Sequence, residues 1–244
     1  MIANNLLTFD TTYPVTGLQT GNGINVDTGS SALIVGNTVT EYQKTGIRIN
    51  GTGTCATLIN NTVTGVGPTS ILAQNGIQIS RGATAAVENN TVTNNDYTGA
   101  GAASAGILLF EEIATAPVCV QFNTTSSNDL GIALASTVSA LVQGNNSSNN
   151  NDDGIFVDST SINNVFIQNT ALGNGVYDIE DLSVGLLSAL TGNIYLCNTC
   201  VNDNKDEICS STSPFPPPEM MTTAAILATF VPPATVTGPI TTPE

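Results

Sequence analysis

The sequence contains no histidine and no tryptophan, and only four residues, Lys44, Arg48, Arg81 and Lys205, carry a basic side chain. Without histidine the commonest general base and metal ligand are missing, which excludes His-dependent triads and His-ligated zinc sites. Nineteen acidic residues against those four give a net charge of -15, which repels phosphate backbones, so no nucleic-acid partner is expected. Aromatic residues make up 5% of the chain and charged residues 9%, against about 25% charged in an ordinary soluble domain. A helix-rich protein does not have that composition, and Val, Ile and Leu recur too often for disorder. No apolar run reaches the length of about 18 residues that a membrane helix needs, so no membrane insertion is expected. Met1 to Asp10 has neither the basic start nor the apolar stretch of a signal peptide.

What is abundant is repetition. Gly followed by an alternating apolar pair recurs at Gly23, Gly46, Gly76, Gly106, Gly131 and Gly154, as in Gly46-Ile47-Arg48-Ile49 and Gly76-Ile77-Gln78-Ile79. Between these phrases lies a second one centred on asparagine, at Asn5, Asn37, Asn61, Asn90, Asn123, Asn145, Asn169 and Asn198. Three residues before each asparagine stands Ile2, Ile34, Leu58, Val87, Val120, Val142, Phe166 or Tyr195, so the whole column is apolar or aromatic. Apolar positions two apart mean strands, and the period is about 28 residues. A unit of that size cannot bury its own apolar face. Stacked coils about 4.8 Å apart place like on like, Ile inside and Asn at a corner where its amide meets the amides above and below.

This pattern resembles the right-handed parallel β-helix proteins built from short pectate-lyase-like repeats, over roughly residues 1 to 205. The expected fold is all-β: a right-handed parallel β-helix solenoid of about seven coils over residues 1–209, then a Pro-rich C-terminal tail or assembly segment, 210–244. An antiparallel sandwich also alternates, but its strands do not share identities column by column. The resemblance implies a group that holds polysaccharide lyases, hydrolases and epimerases beside tailspikes and surface proteins without known chemistry.

The catalytic constellations that the resemblance implies are absent from the outward columns. Pectate lyases of this fold hold calcium with neighbouring outward carboxylates and use an arginine base. Here Asp27 and Asp158 stand five coils apart, about 24 Å, and Arg48 has no acidic column neighbour. No catalytic residue and no enzymatic activity are therefore expected, no metal site is assigned, and no cofactor beyond a candidate calcium position at Asn149 to Asp153. The long insertions, 65–75 and 94–105, fall in consecutive coils and should project together, with Asp96 and Tyr97 as candidate carbohydrate contacts. The outward residues of the Gly-phrase strands turn apolar at Leu108, Phe110 and Phe156, a candidate assembly patch. Asn37, Asn61, Asn90, Asn123, Asn145, Asn169 and Asn198 form the structural ladder. Cys197, Cys200 and Cys209 are candidates for one disulfide that staples the last coil, with a Cys-x-x-Cys redox pair and a zinc site as competitors, and Cys55 and Cys119 are expected to be buried thiols.

The leading expectation is a non-enzymatic surface or filament subunit, extracellular or on a cell, virion or spore surface. It would self-associate into fibres or oligomers through open coil ends, the apolar patch and the tail. The alternative is a carbohydrate-binding or polysaccharide-cleaving spike with its site at loops 65–75 and 94–105, which makes polysaccharide the partner.

Overall fold

The computed structural model describes residues 1–8, 14–112 and 118–209. The expected tail segment, 210–244, lies outside the described residues. Three all-parallel sheets run along the solenoid. Sheet A has eight strands, from Ile2–Ala3 to Ile194–Leu196; sheet B has six, from Leu6–Leu7 to Asn146–Ser147; sheet C has seven, from Asn22–Val26 to Ile179–Asp181. Each strand pairs with its equivalents one repeat before and after, so the expected parallel β-helix is the observed architecture.

The register follows the sequence columns. Ile2, Ile34, Leu58, Val87, Val120, Val142, Phe166 and Tyr195 make one ladder through sheet A. Ile24, Ile47, Ile77, Ile107, Ile132, Ile155 and Ile179 make another through sheet C. These side chains form one continuous core that ends in Phe166 stacked on Tyr195, with ring centroids 4.7 Å apart. Each fully buried Ile contributes about 1.5–3 kcal/mol relative to exposure. The Gly that opens each sheet C phrase is required by close approach: a Cβ at Gly46 would stand 2.6 Å from the carbonyl oxygen of Gly76.

The asparagine column is a hydrogen-bonded ladder. Each side-chain amide donates to the next Oδ1 at 2.9–3.0 Å, from Asn5 through Asn37, Asn61, Asn90, Asn123, Asn145 and Asn169 to Asn198. A second ladder, not anticipated, joins Asn95, Asn128, Asn150 and Asn174 and ends on the carboxylate of Asp178. A short third one joins Asn164 to Asn193 and ends on Asp181. Buried amides in a low-dielectric corner are costly unless paired, and stacking supplies the pair.

The disulfide expected to staple the last coil joins Cys200 to Cys209 with a Cα–Cα distance of 5.0 Å, and Ile208 beside it is buried in the core. The expectation about the other thiols is corrected. Cys55 and Cys119 are free but not buried, because each occupies an outward position of sheet A, one residue out of phase with the inward Ala56 and Val118.

Candidate functional site

Sheet C presents a different face to solvent. Its central outward column reads Asn25, Arg48, Gln78, Leu108, Ala133, Phe156 and Glu180, one residue per coil. The face is therefore cationic and polar at one end, apolar in the middle and acidic at the other.

The polar end is a groove of about 300 Å³ lined by Gln19, Thr20, Asn22, Lys44, Thr45, Arg48, Gln78 and Arg81. Three of the four basic residues of the chain meet there. Lys44 is half-buried and donates to the carbonyl of Ala73, and burial draws its ammonium below the ordinary lysine range. Arg48 donates to Asn25 Oδ1 at 3.3 Å. Arg81 sits at a corner with φ 59° and pairs with Glu111 at 3.3 Å, an exposed contact of little energetic weight. The groove thus keeps one exposed guanidinium, one half-buried guanidinium and one half-desolvated amine beside neutral donors and acceptors.

In the middle, Ala105, Leu130 and Ala133 are buried under half-exposed Leu108 and Phe156, and Phe110 is likewise half-exposed. The candidate patch residues do lie together, on the same face as the groove. At the acidic end Asp153 is buried, accepts the amide of Tyr177 at 2.9 Å and shares a hydrogen bond with Glu180. Burial lifts the Asp153 carboxyl to about 7, helped by the charges of Asp152 and Glu180. In the Asn149 to Asp153 turn, Asn150 is committed to the second ladder and Asp153 Oδ1 to the Tyr177 amide.

The insertions stack through the Thr69–Tyr97 bridge, but the two residues singled out there have local work. Asp96 is buried beside Asp129, whose carboxyl burial raises to about 7 while it accepts the amides of Tyr97 and Ser104 at 2.7–3.1 Å. The Tyr97 ring lies against Gly99 of its own loop. Asp96 is thus a buried corner anchor, whereas Tyr97 is half-exposed.

A family profile described as "Right handed beta helix region" matches residues 22–205. No curated protein matches by sequence. Among solved structures the periplasmic alginate epimerase AlgG is similar, with a TM-score of 0.51 and 21% identity over 71% of this chain and 42% of that one. Two single-site mutants of AlgG give 0.53 with 20% identity over 73% and 43%, and 0.50 with 23% identity over 73% and 36%. The chain spans less than half the length of these structures, and at such identities the likeness shows the fold. The neighbours nevertheless overturn the expectation of a protein without enzymatic activity, which rested on missing catalytic motifs: they are enzymes on the same scaffold. With its profile match covering most of the solenoid, the chain belongs to the right-handed beta helix region family.

Proposed function

We propose that the protein binds an acidic polysaccharide along the outer face of sheet C and acts on it as an enzyme, outside the cytoplasm. The observation that carries this reading is the convergence of Lys44, Arg48 and Arg81 on one groove in a chain of net charge -15. Such a surface repels polyanions elsewhere, so a local cationic groove is the place where one would settle. Gln19, Asn22, Thr45 and Gln78 add donors and acceptors suited to sugar hydroxyls. Leu108, Phe110 and Phe156 continue the face with apolar surface on which the carbon side of a sugar ring can rest. Fold similarity to periplasmic alginate epimerases supports both the substrate class and the location.

The groove suggests a chemistry. Guanidinium groups at Arg48 and Arg81 would neutralise a uronate carboxylate and so stabilise the negative charge that develops when the adjacent C–H gives up its proton. Lys44 is the titratable group of the groove whose charged form burial disfavours; its neutral amine, not its ammonium, would be the form that accepts that proton. The test is incubation in deuterated buffer with alginate, polygalacturonate and a neutral glucan. Deuterium entering the acidic polymers, or new unsaturated ends on them, is the expected result. Acidic polymers recovered unchanged, or a neutral glucan altered equally, would overturn the reading.

A further inference from the structure

The geometry points to a second, redox-gated site at the closing end of the solenoid, where Cys200, Asp203 and Cys209 would bind a zinc ion once the disulfide is reduced. Their ligand atoms, two sulfurs and one carboxylate oxygen, all lie within 4.8 Å of one another. Two of the three backbones are held independently of the disulfide. The bridge of Thr170 with Thr199 sets Cys200 next to buried Ala171, and Asp203 pairs with Ile179 of the last sheet C strand. The third is held by the Asp203 carboxylate itself, which accepts the amide of Cys209 at 2.7 Å, and by Ile208 anchored in the core. The ligands would therefore stay gathered after the S–S bond is cut.

The donor set selects the ion. Two thiolates with one carboxylate suit tetrahedral Zn²⁺ with water in the fourth position, whereas Ca²⁺ and Mg²⁺ require oxygen ligands throughout. The Cys-x-x-Cys spacing suggests a different pair, Cys197 with Cys200, but the fold separates them. Cys197 is exposed at a corner with φ 55°, on the far side of Asn198 from Cys200, whose side chain packs against the core. Asp203 takes the place that spacing alone would give to Cys197.

The chemistry balances with a dithiol reductant. The dithiol gives two electrons and two protons to the Cys200–Cys209 bond, which becomes two thiols, and is itself oxidised to a disulfide. Zn²⁺ then displaces the two thiol protons into solvent. Disulfide and metal exclude each other, so either one closes the end of the core.

The test reduces the full chain with dithiothreitol, removes the reductant without oxygen and titrates with Co²⁺ followed by Zn²⁺. One equivalent of Co²⁺ should give a thiolate-to-cobalt charge-transfer band that Zn²⁺ abolishes, and the oxidised protein should give none. Cys197→Ser should behave as wild type. Asp203→Asn keeps an oxygen to accept the Cys209 amide but loses the charge, and should bind at least about tenfold more weakly with its circular dichroism unchanged. Absence of the band in reduced wild type overturns the site, as does a band that Cys197→Ser removes and Asp203→Asn leaves intact.

Discussion

The two faces of sheet C are built from the same seven strands and obey different rules. Inside, Ile24, Ile47, Ile77, Ile107, Ile132, Ile155 and Ile179 repeat almost without variation. Outside, the neighbouring column runs from Asn25 and Arg48 through Leu108 and Phe156 to Glu180, and no coil copies the next. An inward side chain must fit a cavity bounded by its own equivalents above and below, so packing density enforces sameness. An outward side chain is not enclosed by its own equivalents, so its size and polarity are free to change from coil to coil. The fold is written in what repeats, and function in what does not.

The sharpest way to break this comparison is to place one charge on each face of the same strand. Ile77→Asp puts an unpaired carboxylate among side chains that are completely buried and should abolish soluble folded protein. Gln78→Asp, one residue away and half-exposed, should cost about 1 kcal/mol or less. Soluble yield and thermal melting separate the two. Equal yields would mean that the faces are wrongly assigned.

A smaller effect comes from carboxyls at the corners between the sheets. Glu112 is buried with neither oxygen hydrogen-bonded among the described residues; the amides of Gly82 and Ala83 ease its charge only in part, and burial lifts it to about 8. Asp129 and Asp153 are lifted to about 7. In each case the native state binds protons more tightly than the unfolded chain. Their stabilising contribution is full below the ordinary carboxylate range and is lost as pH rises through about 7 to 8. Asp158, held low by Ser161, Thr160 and backbone amides, works in the opposite direction on the acid side. Melting temperature should fall between about pH 5.5 and pH 8.5, and Glu112→Gln should flatten the fall. A melting temperature that rises over this range would contradict the assignment.

The comparison also explains which features the sequence made readable. Inward columns and the first asparagine ladder were visible because identity recurs at every coil. The second ladder carries the same signal, an asparagine five residues after Asn90, Asn123, Asn145 and Asn169, but Tyr42 and Val66 stand in that column after Asn37 and Asn61, so its period shows over only part of the chain. The groove carried no such signal. Lys44 and Arg48 are neighbours in one coil, Arg81 belongs to the next, and only stacking brings the three cations together. The burial of Asp96 beside Asp129 likewise follows from coil stacking, which a polar insertion does not announce in sequence. The thiols at Cys55 and Cys119 were misjudged on residue type when the strand alternation already placed them outward.

The central claim, that the outer face of sheet C carries function independently of the fold, is tested most directly by measuring glycan affinity and melting temperature together in Arg48→Ala. With alginate or polygalacturonate at low and moderate salt, wild type should bind in a salt-sensitive manner. The variant should lose at least about tenfold in affinity, as removal of a charge-assisted contact implies, while its melting temperature stays within a few degrees of wild type. Unchanged affinity in a folded Arg48→Ala variant would contradict the account.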